Sequence, residues 1–190
     1  MKTLIVYASI AHGNTEKIAA VMNEVFGGKL ARPNEINFEE VDEYDLIGFG
    51  SGIYAQRPHY RLLRFVHRLT PQTAKKTFLF FTSGARDSFL LDIFTKPLRS
   101  GLLKKGFDIV GEFRCPGLDT FGPFWFIRGI NKGRPDERDF DNARNFAHGL
   151  LGDLEAGSLA ATSRQPKSKG ESDMQAKRQH DHFEVHGGNQ

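Results

Sequence analysis

Short apolar runs alternate with segments of helical periodicity along the chain as far as residue 155, and this alternation limits the possible folds. The apolar runs, which are typical of buried strands, lie at residues 2–8, 29–31, 45–50, 77–82 and 107–113. The segments with helical spacing lie at residues 15–26, 59–69, 88–105 and 137–155. Such an alternation predicts a parallel sheet with helices on both faces, joined by right-handed crossovers. Ligands of these sheets bind at the carboxyl ends of the strands.

Breaker residues set the expected ends of the helices. Gly27 and Gly28 end the first helix, and Thr70 with Pro71 ends the second. Pro97 falls inside the third helical segment, so we expect a kink there or a division into two helices.

The amino-acid composition of the sequence changes near residue 156. A chain of 190 residues allows one domain with a full core, and we assign that domain to residues 1–155. Residues 156–190 are polar and mixed in charge, which predicts a mostly disordered tail. His180, His182 and His186 could bind a metal as a flexible cluster, although a solvated tail is the simpler interpretation.

Composition excludes several classes of protein. A formal net charge of +3 is too small to indicate nucleic-acid binding without a basic patch. Cys115 is the only cysteine, so we expect a core thiol, no internal disulfide and a reducing compartment. The N-terminus lacks the long apolar region of a signal peptide, and no stretch approaches the length of a membrane span. A cytoplasmic protein is therefore expected.

The turn "SIAHGNTEK" at residues 9–17 joins the first strand to the first helix and contains hydroxyls and a glycine but no arginine. The Gly-Lys-Ser/Thr ending of a P-loop and the G-x-G-x-x-G of dinucleotide-binding proteins are both absent. Arginine does not follow Cys115 six residues later, so the phosphate loop of small tyrosine phosphatases is absent as well. Two interpretations remain. The loop binds a phosphate monoester at a helix N-terminus, or Asn14 or Thr15 only caps the helix while Ser9 ends the strand.

Three segments together resemble the flavin-contacting loops of the flavodoxin family. They are "IVYASIAHGNTEKIA", "DLIGFGSGIY" (residues 45–54) and "FLFFTSGA" (residues 78–85), in the order and spacing of that family, within residues 1–150. The resemblance implies a flavodoxin-like α/β fold, a three-layer doubly wound sandwich around a five-stranded parallel sheet in the order 2-1-3-4-5. It also implies that the domain binds FMN non-covalently.

The resemblance assigns each loop a part of the cofactor. The phosphate is expected to contact Ser9, the backbone of Ala11, His12, Gly13, Asn14 and Thr15. The isoalloxazine is expected to contact Gly50, Ser51, Gly52, Ile53 and Tyr54, with the Tyr54 ring stacked on it. Thr82, Ser83, Gly84 and Ala85 are expected to offer backbone donors to the pyrimidine edge, with Arg86 and Asp87 nearby. A surface tyrosine is the alternative for Tyr54, and we identify no catalytic acid or base and no metal site.

The sequence departs from the family pattern in two places of the first loop. Ser9 lies one residue further from Gly13 than usual, and His12 stands where a threonine is common. One hydroxyl donor is therefore missing, and a ring nitrogen of His12 is its candidate replacement.

Two further segments carry unusual composition. Residues 115–135 form a long connection that contains Phe121, Phe124, Trp125 and Phe126. This connection could cover the flavin, build a substrate pocket, form a dimer contact or pack on the sheet edge. A basic run beside the second loop comprises Arg57, His59, Arg61, Arg64, His67 and Arg68. It is either a solvated helix face or a surface that attracts an acidic redox partner or the phosphates of a nicotinamide cofactor.

These observations favour an FMN protein that carries electrons between partner proteins, a reductase and an acceptor. The alternative is an FMN-dependent NAD(P)H:quinone-type oxidoreductase, which the aromatic connection favours. The balance of 21 Lys and Arg against 19 Asp and Glu in residues 1–155 also favours it, because carriers of this family tend to be acidic. A flavin-free interaction module is the third possibility. The oligomeric state is open.

Overall fold

The computed structural model describes residues 1–10, 12–84, 88–117, 131 and 133–163, with side chains described as far as residue 157 except at residue 88. The strands are β1 (Thr3–Ala8), β2 (Lys29–Ala31), β3 (Leu46–Tyr54), β4 (Arg57–Pro58), β5 (Lys75–Ser83) and β6 (Phe107–Pro116). The helices are α1 (Asn14–Phe26), α2 (Tyr60–Arg68), α3 (Ser88–Lys104) and α4 (Glu137–Ser163), and a 3₁₀ helix covers Glu39–Glu43.

All the strands except β4 form a parallel sheet in the order β2-β1-β3-β5-β6. Counted without the two-residue β4, this is the predicted order 2-1-3-4-5, which is confirmed. The short strand β4 pairs antiparallel with the end of β3 and closes a hairpin through Ala55 and Gln56. The order of the sheet reverses between β1 and β3, and such a switch point opens a crevice for ligands.

Helices cover both faces of the sheet, as predicted. Phe78 of β5 packs against Phe26 of α1 at a centroid separation of 5.0 Å and against Phe146 of α4 at 6.1 Å. Successive side chains of a strand point to opposite faces of the sheet. Leu79, the next residue of β5, therefore faces the other side, where it belongs to a core cluster with Leu62 of α2 and Leu98 of α3. The compact unit spans Met1–Gly152.

Several boundaries differ from those expected from the sequence. β3 continues to Tyr54 and β6 to Pro116, because neighbouring strands supply ladder partners beyond the apolar runs. α3 is one helix rather than two and contains Pro97 in its interior. The helix predicted to end at residue 155 continues to Ser163. Residues 164–190, with the three histidines of the predicted tail, lie outside the described residues.

Candidate functional site

The three predicted loops meet at the carboxyl ends of β1, β3 and β5. Ala8, the last residue of β1, pairs with Ser51 of β3, and Gly52 pairs with Thr82 near the end of β5. The sheet therefore brings the first, second and third loops together at its switch point, although they are about 30 to 40 residues apart in sequence. Ala11 and Ala85, with Arg86 and Asp87, lie outside the described residues.

The first loop delivers an uncapped helix N-terminus to this crevice. His12 and Gly13 both have positive φ, 59° and 67°, and Gly13 is the residue that precedes α1. No side chain of this capping residue bonds to the first turn. The interpretation in which Asn14 or Thr15 caps the helix is therefore wrong, because both residues lie inside α1. A glycine at the capping position supplies no side-chain acceptor of its own, and the backbone N–H groups of a helix N-terminus suit an anionic ligand.

Ser9 presents a buried hydroxyl at the start of the same loop. Its Oγ is shielded from solvent and has no hydrogen-bond partner among the described residues. A buried polar atom without a partner costs roughly 1–3 kcal/mol, so its position next to an uncapped helix suits a ligand that accepts hydrogen bonds. A phosphate monoester has that chemistry, and these residues fit the phosphate of FMN. His12 is exposed at the edge of the loop.

Thr15 connects the first loop to the third. Its Oγ1 lies 2.8 Å from Oγ1 of Thr82, and both residues are buried, with relative exposures of 1% and 4%. Each hydroxyl carries one proton, so one of the two donates to the other and the second proton stays available for a third acceptor. The pair can thus hold the two loops together and still donate to a phosphate.

The second predicted loop is largely strand. Gly50 has no room for a side chain, because a Cβ there would lie 1.9 Å from the Phe80 ring. Ser51 is fully buried, accepts a hydrogen bond from the backbone N–H of His59 at 2.9 Å and donates to the Gly52 carbonyl at 2.7 Å. These contacts hold the β3–β4 hairpin against the start of α2. Gly50 and Ser51 therefore have a structural role in packing β3 against Phe80 and α2, and the sequence alone did not indicate this role.

Tyr54 joins the second loop to the first. Its hydroxyl accepts a hydrogen bond from the Ile10 backbone N–H at 3.0 Å, and its ring occupies the space that a Cβ at Gly52 would need. The ring also meets that of His59 edge-on, with centroids 5.7 Å apart. Tyr54 is half-buried rather than a free surface side chain, and Ile53 beside it is half-buried too.

The third loop bonds to residues that the sequence analysis missed. The Ser83 carbonyl accepts from the Gly117 N–H at 2.9 Å, and the Gly84 carbonyl accepts from Nδ2 of Asn131 at 3.2 Å. Asn131 has a positive φ of 54°, a conformation that asparagine tolerates better than most residues. Residues 117 and 131 lie at the candidate site and flank the aromatic segment 118–130 in the sequence, which lies outside the described residues.

Burial sets the charge states of two groups near the site. The pKa of His59 is lowered, first by burial and then by the nearby Arg61 guanidinium, so its ring is neutral at neutral pH. Burial raises the pKa of the Cys115 thiol to about 12, in line with the core thiol expected from the sequence.

In the described part of the chain no group of three His, Cys, Asp or Glu side chains could hold a metal ion. The helices described there include none long and apolar enough to cross a bilayer.

The strand order and the meeting of three loops at the switch point define a doubly wound α/β protein, a class that binds ligands at the carboxyl edge of the sheet. A flavodoxin domain model matches residues 4–91. An uncharacterized protein of Methanocaldococcus jannaschii, MJ0298, is 42% identical over 151 residues, which cover 80% of this chain and 99% of that protein. The chain belongs to the flavodoxin family.

Solved structures share the fold. Oxidised flavodoxin 2 from Bacillus cereus superposes with a TM-score of 0.60 and 21% identity, over 80% of this chain and 99% of its own. The rubredoxin oxygen:oxidoreductase of Desulfovibrio gigas superposes with a TM-score of 0.59 and 21% identity, over 82% of this chain but 36% of its own. At 21% sequence identity, these two similarities show a shared fold and nothing about function.

Proposed function

We propose that this protein binds FMN non-covalently and carries electrons between partner proteins. The observation that carries the proposal is the buried, unpartnered hydroxyl of Ser9 beside the uncapped N-terminus of α1, at the switch point of the sheet. A phosphate dianion satisfies both features, since it accepts hydrogen bonds and is favoured by the positive end of the helix dipole. Flavodoxins as a family transfer electrons to redox partners, which supports the carrier function.

The chain holds the cofactor with uncharged donors in this proposal. Ser9 and Thr15 donate hydroxyl protons to the phosphate, and Gly13, Asn14 and the backbone of Ala11 supply N–H groups. The carboxyl end of β3, from Gly52 to Tyr54, lies along the isoalloxazine, with Tyr54 as its aromatic contact. Backbone groups of Thr82, Ser83, Gly84 and Ala85 lie at the pyrimidine edge. The FMN supplies the redox chemistry, and hydrogen bonds from these loops tune it.

The second candidate is an FMN-dependent oxidoreductase that reduces a quinone or a similar small molecule with NAD(P)H. The observation that favours it is the anchoring of Gly117 and Asn131 at the third loop. Gly117 and Asn131 directly flank the aromatic segment in the sequence, and long connections of this kind are often functional. The assignments of residues 1–155 to the flavin domain and of the chain to the cytoplasm stay predictions.

Purified protein tests the proposal in two steps. A preparation that carries flavin absorbance, or that takes up added FMN stoichiometrically, supports both candidates, and a colourless protein that refuses FMN contradicts both. Reductive titration then separates them. Accumulation of one-electron-reduced flavin without direct oxidation of NADPH supports the carrier. Rapid NADPH oxidation with a quinone acceptor supports the oxidoreductase and contradicts the carrier.

A further inference from the structure

A basic groove lies between the segment that follows β2 and the outer face of α2. Its charged wall consists of Arg61, Arg64 and Arg68, which are exposed, and its aromatic residues are Phe38, Tyr60 and Phe65. The residues that line this basic groove include no aspartate or glutamate.

The arginines of the groove differ from most other arginines among the described side chains. Five arginines elsewhere pair with carboxylates: Arg32 with Glu16, Arg99 with Glu112, Arg114 with Asp92, Arg134 with Asp136, and Arg144 with Asp141. Among the described side chains, no carboxylate lies within ion-pair distance of Arg61, Arg64 or Arg68, nor of Arg57 in β4. The groove therefore concentrates uncompensated positive charge.

This concentration of charge does not stabilise α2. Arg61 and Arg64 are three residues apart, and Arg64 and Arg68 are four apart, so they repel one another across neighbouring turns. Arg61 also lies in the first turn, where the helix dipole favours negative charge, and of the three arginines Arg68 alone lies in the last turn, where the dipole favours a cation. An arrangement that costs a few tenths of a kcal/mol at each of these pairs calls for a compensating role in binding.

Aromatic contacts hold the guanidinium groups without neutralising them. The Arg68 guanidinium lies 4.5 Å from the centre of the Phe38 ring, and Nε of Arg61 donates to the Tyr60 hydroxyl at 3.3 Å. Such contacts restrict the side chains and leave their charge available to a ligand.

The basic groove adjoins the candidate flavin site through a row of three rings. The Tyr54 and His59 rings have centroids 5.7 Å apart, and the His59 and Tyr60 rings 4.6 Å apart. Tyr54 belongs to the second loop, and Tyr60 is exposed in the groove. A partner seated in the groove is therefore next to the edge where the proposal places the isoalloxazine.

We propose that the basic groove docks the acidic surface of an electron-transfer partner protein, through a row of aspartates and glutamates. This inference rests on the proposed carrier function. The cavity measures about 240 Å³, below the roughly 300–1,000 Å³ of pockets that enclose small ligands. Arg61 and Arg68 are about 10 Å apart along the helix axis, which suits separated carboxylates better than one phosphate. Electrostatic attraction of this kind chiefly raises the association rate.

Arg64→Glu and Arg138→Glu form a matched pair of variants. Both replace an exposed helical arginine without a carboxylate partner among the described side chains, but Arg138 lies on α4, on the opposite face of the sheet. The probe is a small [2Fe–2S] ferredoxin of strongly negative net charge, and a positively charged cytochrome c is the counter-probe. Binding of the oxidised ferredoxin, measured by calorimetry at low and high salt, needs no flavin. Thermal unfolding checks that both variants fold.

The second readout is electron transfer to the FMN-loaded full chain in a stopped-flow instrument. The reduced cluster loses one electron and is oxidised, and the bound flavin gains that electron. We expect Arg64→Glu to slow this step on the order of tenfold at low salt and to weaken its salt dependence, while Arg138→Glu changes it less than about twofold.

Three outcomes overturn the inference. One is that the two variants change ferredoxin binding and electron transfer equally, and another is that the unmodified protein binds the cationic cytochrome more tightly than the ferredoxin. The third is that Arg64→Glu weakens the binding of NADPH but leaves the binding of ferredoxin unchanged. A protein that binds the ferredoxin but no FMN keeps the docking surface and refutes the proposed function instead. A protein that binds FMN but shows no salt-dependent association with the ferredoxin refutes the docking surface and leaves the proposed FMN binding intact.

Discussion

The Thr15–Thr82 hydroxyl pair gives the sharpest test of how the first loop works. Thr15→Val keeps the shape of the side chain but removes a partner of the buried Thr82 hydroxyl, 2.8 Å away. An unsatisfied buried hydroxyl costs roughly 1–3 kcal/mol, so each single variant is expected to lose that much unfolding free energy. The double variant loses less than the sum, because no unpaired hydroxyl remains.

FMN affinity separates the structural role of this pair from a role in phosphate binding. A hydrogen bond to a charged group contributes about 1.5–3 kcal/mol, which corresponds to a roughly 10- to 150-fold change in Kd. Thr15→Val should weaken FMN binding by such a factor, Thr82→Val by a smaller one, and the double variant should recover stability but not affinity. Urea unfolding of the apoprotein and flavin fluorescence titration measure the two quantities. Recovery of FMN affinity in the double variant would refute the assigned contact between Thr15 and the phosphate.

Three other predictions follow from local geometry. His59 caps α2 by accepting a hydrogen bond from the Arg61 N–H, and its pKa is lowered in the folded protein. The free energy of unfolding should therefore fall as pH drops below about 6.5, the ordinary pKa of histidine. His59→Asn should remove that pH dependence, and an unchanged pH profile in urea titrations contradicts the prediction. Gly50→Ala should destabilise by about 1–3 kcal/mol or more through collision with Phe80, and a thermal melt no lower than that of the unmodified protein contradicts this. Cys115, with a pKa of about 12, should react with a thiolate-directed reagent roughly a thousandfold more slowly in the native than in the unfolded protein, and equal rates contradict its burial.

The sequence predicted a parallel sheet because each strand is encoded locally. The apolar runs, the helical spacing between them and the glycines after α1 indicate parallel strands joined by helices, whereas the strand order came from the resemblance of the three loops to the flavodoxin family. Both interpretations of the basic run require exposed side chains, and Arg61, Arg64 and Arg68 are exposed.

Contacts between distant segments could not be predicted in the same way. Thr15 and Thr82 are 67 residues apart, and Ile10 and Tyr54 are 44 apart, so nothing local in the sequence indicates their hydrogen bonds. The contact of Asn131 with the third loop had only an indirect signal, an asparagine at the end of a long connection. The alternative in which Asn14 or Thr15 caps α1 was suggested by the preference of hydroxyl and amide residues for that position, whereas the structure places the cap at Gly13, which has a positive φ.

Discrimination between FMN and riboflavin measures directly whether the first loop holds a phosphate. The two molecules share the isoalloxazine and differ by the phosphate, which we assign to Ser9, Thr15 and the N-terminus of α1. Fluorescence titration of the apoprotein should give an FMN Kd at least about 100-fold lower than the riboflavin Kd, equivalent to roughly 2.7 kcal/mol. Equal affinity for the two would show that the first loop does not hold a phosphate and would contradict the account.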